Sequence, residues 1–341
     1  MTSVEDALTT ADAYLAVDRN ERAAQILTAA LVEHPDHADL LTELSRAQLR
    51  MGAPELAMYT AHSALRVAPG CTAAMRMYAL ALSGIDEREA AAQVAYRAVV
   101  SEPNDYLTHY TYAIVLAAGW QYQTALLCVE EALRLQPASA DVHFQRGLIL
   151  QKLGRISESD AAYAEALRLD PDHSAAMHNM ALNGLKRGRW TTALSGFLGA
   201  ARMDPKLGDL VRGNVGAALR MPLRWTTLAG VVVCFFAGTI VAGSREAQQV
   251  PYRLAGAASL LGLIVLLGWV FRAARIIPRR AWPAVLKRRP MLVLRILVSV
   301  ASVAVAIPAN LGVQSMTLQA SAVALLVLGL IITIVGWKEG S

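Results

Sequence analysis

Residues 1–207 alternate apolar and polar positions at helical spacing, and the alternation itself repeats. In Ala140–Leu153 the apolar residues Val142, Ile149, Leu150 and Leu153 fall on one helical face, and Gly154 then closes the helix. Ser157–Leu169 supplies a second helix. Asp170-Pro171-Asp172 ends it, because proline lacks the N–H and disfavours helix at the residue before it. The same two-helix phrase returns with a fixed step: Pro35, Pro69, Pro103, Pro137, Pro171 and Pro205 are each 34 residues apart. Five residues before each proline stands Ala30, Ala64, Ala98, Ala132, Ala166 or Ala200. Twelve before stand Ala23, Ala57, Ala91, Ala125, Ser159 and Ala193. An unbroken register of this kind predicts six pairs of antiparallel helices. The small residues are needed where two helices cross closely, since a larger side chain would overfill the contact. Tyr14, Leu44, Tyr78, Tyr112 and Met180 are the bulky partners in the first helices, with Leu27, Tyr163 and Phe197 in the second. Gly52, Gly154 and Gly188 share one repeat position, where a left-handed turn residue is useful. Ser3 followed by Asp6 reads as a helix N-cap.

Beyond Pro205 the pattern changes. Asp209–Leu219 keeps helical spacing through Leu210, Val211, Val215, Ala218 and Leu219, as a helix covering the end of a stack would. Four almost uninterrupted apolar segments then follow, at about 225–243, 254–272, 291–309 and 317–337. Each approaches the roughly 20 residues needed to cross about 30 Å of hydrocarbon. The expected organisation is therefore repeats over 1–207, a capping helix and linker over 208–223, and a four-helix membrane domain over 224–341.

Charge follows the same division. Residues 1–207 carry 18 Lys+Arg against 24 Asp+Glu, and residues 208–341 carry 14 against 3, so the net charges are −6 and +11. The basic balance belongs to the second part and does not point to nucleic acid. Arg275, Arg279, Arg280, Lys287, Arg288 and Arg289 lie between the second and third apolar segments. Excess positive charge there, and before the first segment, predicts that the repeats, this loop and the C-terminus face the cytoplasm of a multi-pass plasma-membrane protein. The loop also has the cations to lie on anionic lipid headgroups. Met1–Ala7 lacks the basic head and apolar run of a secretory signal. The chain's richness in Ala, Arg and Leu and its few Lys and Asn resemble coding from a high-GC bacterium. Arg295, about one turn inside the third segment, is the sole charge in the interior of an apolar segment and can snorkel outward.

The 34-residue period, with its alanines and proline and the small residues Ala11, Ser45, Ala79, Ala113, Gly147 and Ala181, resembles the tetratricopeptide repeat family. The departure is at the fourth residue of each repeat, where the family favours Trp and this chain has Ala7, Leu41, Met75, His109, His143 and Met177. The resemblance implies an all-α solenoid whose first helices line a concave groove. Carried over residue by residue, the groove would present Arg46, Arg76, Leu80, Tyr110, Ile114, Phe144, Leu148 and His178. Arg50, Lys152 and Lys186 would stand at its outer repeats. The Lys and Asn pair with which some members clamp a chaperone's C-terminal carboxylate is missing. An apolar, aromatic groove suits a helix or an extended apolar segment of a protein partner.

No Gly-rich phosphate loop, nucleophile elbow or zinc motif is present, so no catalytic residue, cofactor or metal is expected. The cysteines Cys71, Cys128 and Cys234 show no metal spacing. His109 and His143 share one repeat position and read as packing residues, while His37 and His173 read as exposed turn residues. Glu130 and Arg134 read as a helix surface pair. The function expected is a membrane-anchored scaffold or adaptor that binds a partner protein in the assembly or regulation of a membrane complex. The alternatives are a regulatory or structural subunit of a transporter, with Arg295 as its strongest residue, or of a membrane-bound envelope enzyme.

Overall fold

The computed structural model describes residues 3–204, 213–215, 218, isolated positions between 264 and 304, and a helix at 316–338. The chain forms two compact units, Met1–Pro171 and Asp172–Ser341.

The first unit holds five antiparallel pairs. They are α1 (Val4–Ala16) with α2 (Asn20–Glu33), α3 (Ala38–Arg50) with α4 (Pro54–Val67), α5 (Thr72–Gly84) with α6 (Arg88–Ser101), α7 (Tyr106–Ala118) with α8 (Tyr122–Leu135), and α9 (Ala140–Lys152) with α10 (Ile156–Leu169). The second unit holds the sixth pair, α11 (Ser174–Lys186) with α12 (Trp190–Met203), and a later helix, α13 (Met316–Lys338).

Local chemistry sets these boundaries. Ser3 accepts from the Asp6 N–H at 3.1 Å, and the Asp6 carboxylate accepts from the Ser3 N–H at 3.3 Å, a reciprocal capping box. The same register position caps four more first helices: His37 accepts from Leu40, Asp105 from Leu107, Ser139 from Val142 and His173 from Ala176. His37 and His173 are therefore half-buried N-caps rather than exposed turn residues. At the other end, the residue before each proline donates its N–H to the recurring alanine four residues earlier, as in His34 to Ala30 at 3.0 Å and Asp170 to Ala166 at 2.8 Å. Proline follows where no further helical N–H is required.

The turn inside each pair has one left-handed residue in every repeat. Gly52, Gly154 and Gly188 have φ near +74°, and Asp18, Asp86 and Trp120 adopt φ of 57°, 68° and 62° at the same position. The backbone path is thus common to all six pairs, although only three have the residue that adopts it without steric cost.

The pair interiors explain the small residues. Ala23, Ala57, Ala91, Ala125, Ser159 and Ala193 are all fully buried. The fifth pair departs at three positions together. Tyr163 is fully buried, and a Cβ on Gly147 would penetrate its ring. Ser159 replaces the usual alanine and donates to the Gly147 carbonyl at 2.8 Å. The large ring, the missing methyl and the added hydroxyl are one packing solution. Burial raises the Tyr163 phenol above its ordinary pKa range, with the Ser159 hydroxyl acting in the opposite sense.

Within the first unit, consecutive first helices pack on one another: α1 on α3, α3 on α5, α5 on α7 and α7 on α9. Successive second helices lack comparable packing. The first helices therefore form the inner side, and the second helices stand apart on the outer side.

Counted over the described residues alone, no helix is long and apolar enough to cross a membrane. The four-span domain expected from sequence is accordingly not shown. Its first three spans fall outside the described residues except at isolated helical positions, and so does the basic loop except Arg275, which is helical. Arg279, Arg280, Lys287, Arg288 and Arg289, expected at lipid headgroups, lie outside the described residues, as do Arg295 and Cys234. The fourth expected span coincides with α13. There Ala322, Gly329 and Ile332 are buried along one stripe, while Val323, Val327, Leu330 and Ile331 are exposed. Of the expected capping helix, residues 213–215 and 218 are helical and the remainder lies outside the described residues.

Candidate functional site: the inner face of the first helices

The inner face of the first unit divides into two stretches. In the first three repeats most of its charges are held within the solenoid. Arg46 pairs with Asp12 at 2.5 Å and with Glu43 at 2.8 Å. Asp12 and Arg46 occupy the same position in consecutive repeats, so their contact follows from α1 and α3 lying side by side in register. Burial raises the Glu43 carboxyl above its ordinary pKa, against the opposing pull of Arg46. Arg50 donates to the Leu15 carbonyl at 2.7 Å, near the C-terminus of α1, where a cation and an open carbonyl complement each other. Arg76 is only 15% exposed and meets Asp105 at 3.1 Å. Asp105 also caps α7 through the Leu107 N–H at 3.0 Å, so one carboxylate ties α5 to the start of α7.

The fourth and fifth repeats present apolar and aromatic side chains at the equivalent places. Tyr110, Ile114, Phe144 and Leu148 are all half-buried, as is Leu80 in the third repeat. Tyr110 packs against the core of α7 to α9, which includes Ala113, Val142 and Ile149. Its phenol is pushed above the ordinary range, first by burial and then by the Asp141 carboxylate. Phe144 lies tilted on Tyr163, ring centroids 5.9 Å apart, and so is held by the same packing that requires Gly147. The two aromatic residues stand one period apart on adjacent first helices.

The sixth pair treats the position differently. His178 is 4% exposed, its ring lies 5.3 Å from Phe197, and its Nε2 is 3.3 Å from Asn214 Nδ2. It belongs to the interior of the second unit and offers no surface for a partner. Burial lowers its pKa below 6.5. Lys152 and Lys186 are exposed.

Other sequence-level expectations resolve into local contacts. His109 and His143 each place Nε2 on the carbonyl of the proline six residues earlier, Pro103 at 2.8 Å and Pro137 at 2.9 Å. Among the described residues no group of three His, Cys, Asp or Glu is placed to hold a metal. Arg134 pairs with Glu131 at 2.7 Å rather than with Glu130, which faces Arg146 at 3.8 Å. Burial raises the Cys128 thiol to about 11, so it stays protonated at neutral pH.

Two features are not evident from the residue-by-residue reading. The Asp12–Arg46 pair has a signal in the sequence, opposite charges one period apart. The Arg88 guanidinium lies 4.1 Å from the Trp120 ring centroid and 2.6 Å from Asp86, linking the left-handed turn residues of neighbouring repeats. Nothing in helical periodicity announces that contact.

Tetratricopeptide-repeat family models match residues 8–62 and residues 140–173. No curated protein is similar to the chain over its sequence. Among solved structures, a thermophilic tetratricopeptide-repeat protein of Thermus thermophilus is 21% identical, with a TM-score of 0.51 over 54% of this chain and 100% of the other. MamA of Desulfovibrio magneticus is 22% identical, with a TM-score of 0.41 over 50% of this chain and 96% of the other. The two family-model matches and the Thermus structure, with the helix pairs and their period, show an all-α solenoid of tetratricopeptide repeats in the N-terminal part of the chain.

Proposed function

We propose that the chain is a non-enzymatic, membrane-anchored scaffold whose repeats bind a helix or apolar segment of a partner protein. The observation that carries the reading is the contrast along the inner face. Charges in the first three repeats are paired internally, whereas Tyr110, Ile114, Phe144 and Leu148 form an apolar stretch with two aromatic anchors. Half-buried aromatic residues on a rigid support bind with little loss of side-chain freedom. The absence of carboxylate-clamp residues favours an apolar partner over an acidic tail.

Anchoring in the plasma membrane is supported by the four apolar segments and the basic loop between the second and third. It is also supported by the exposed Val323, Val327, Leu330 and Ile331 on α13, which water does not favour. The distribution of arginine and lysine favours cytoplasmic repeats, with anionic lipid at Arg275, Arg279, Arg280, Lys287, Arg288 and Arg289.

The test is partner capture from native membranes by crosslinking, with the full chain and with Tyr110→Ala/Phe144→Ala. Capture should be lost while expression and membrane fractionation are unchanged. Retention of the same crosslinked partner by the double variant would remove the inner face as the binding surface. The topology is tested separately by a C-terminal reporter that is active only outside the cell, which should be silent.

A further inference from the structure

The outer side of the first unit holds a second feature, independent of the inner face. Between α4 and α6, floored by α5, a cavity of about 270 Å³ opens between second helices. Arg66, Arg97 and His62 line it together with Tyr78, and Leu65 and Val94 form apolar wall. No carboxylate lines it. Arg66 and Arg97 make no ion pair among the described residues, unlike Arg46, Arg76, Arg88, Arg134, Arg146, Arg155 and Arg168. The His62 ring on α4 lies 5.6 Å from the Tyr78 ring on α5.

The repeat register supplies internal controls. The places of Arg66 and Arg97 are taken by Val32 and Ser63 between α2 and α4, by Val100 and Glu131 between α6 and α8, and by Arg134 and Glu165 between α8 and α10. Helix packing therefore does not require a cation at either place. Arg66 and Arg97 are both exposed, so each guanidinium has donors free to turn toward an anion in the cavity.

We propose that this cavity binds a phosphomonoester carried on a small apolar or aromatic body. Two guanidinium groups match the charge of about −1.5 to −2 on a phosphomonoester near neutral pH. Their planar forks suit its oxygens, and Tyr78 and His62 add polar side chains to the lining. Leu65 and Val94 give the body an apolar contact. The volume lies just below the range of about 300–1,000 Å³ that holds drug-sized ligands, so it accommodates roughly one ring with its head group.

The experiment is calorimetric titration of the full chain with phenyl phosphate, inorganic phosphate, benzoate and benzyl alcohol. Phenyl phosphate should bind most tightly, at least about tenfold better than inorganic phosphate, and benzyl alcohol should not bind. Arg66→Gln and Arg97→Gln should each weaken phenyl phosphate about 10- to 100-fold, the usual effect of losing a hydrogen bond to a charged group. Arg134→Gln, in another notch, should leave it unchanged. Tighter binding of benzoate than of phenyl phosphate would overturn the head-group assignment. Equal phenyl phosphate affinity in the Arg66→Gln/Arg97→Gln double variant, with the parent's helical circular dichroism, would overturn the site. A phosphotyrosyl tripeptide distinguishes the sources of this chemistry: binding tighter than phenyl phosphate assigns a modified polypeptide, and equal binding a free small molecule.

Discussion

The inner face of the first three repeats and that of the fourth and fifth are built on the same backbone and behave as opposite surfaces. Asp12, Glu43, Arg46, Arg76 and Asp105 make a surface that consumes its own charges. Tyr110, Ile114, Phe144 and Leu148 make one that is half-buried and mainly apolar. The lesson is that residue type alone does not identify a recognition surface. An arginine in a groove recognises nothing while a carboxylate one repeat away already holds it.

The contrast can be broken most strongly at the aromatic stretch. Tyr110→Ala/Phe144→Ala should reduce partner capture about 1,000-fold, in line with a loss of about 2 kcal/mol at each of two hot-spot residues. Asp12→Ala/Arg46→Ala should change capture by less than about fivefold, because exposed ion pairs contribute only about 0–1 kcal/mol. Quantitative crosslinking of both variants on one blot checks the pair. Equal losses would erase the distinction between the two stretches.

The support beneath Phe144 offers the next effect. Gly147→Ala should destabilise the first unit by about 1–3 kcal/mol, since the methyl must displace the Tyr163 ring. Combining it with Tyr163→Leu should recover most of that loss, which urea unfolding followed by circular dichroism measures. Gly52→Ala isolates the backbone contribution, because nothing lies within 4 Å of the added Cβ. A cost of about 1–2 kcal/mol is expected from the left-handed conformation alone. Asp86→Gly, at the equivalent turn, should not show that loss.

The smallest effect belongs to the second unit. The folded pKa of His178 is depressed, so the unfolded chain binds its proton more readily. The stability of the sixth pair should be at its full value above pH 6.5 and should fall as pH drops from there through the lower folded value. His178→Gln should flatten this slope below pH 6.5. An unchanged slope would show that another group governs the acid response.

Much of the fold is legible along the chain because its causes are short-ranged. Proline ends a helix through its own missing N–H, and Gly52, Gly154 and Gly188 mark a turn through their own freedom at positive φ. The same reasoning passes over Asp18, Asp86 and Trp120, which follow the turn because their repeats demand it and not because their side chains prefer it. Tyr110 and Phe144 stand out in the sequence as positions that do not repeat. His178 stands out for the same reason, yet lies inside its pair, because Phe197 and Asn214 enclose it.

The sequence by itself determined the period, the helix pairs, the small-residue crossings and the change in character beyond the repeats. Each depends on a residue's own backbone preference or volume, summed over a regular spacing. Only the tertiary structure decided which charges are spent within the solenoid and which side chains remain available. Those outcomes depend on neighbours about 34 residues away, brought together when one helix pair packs on the next.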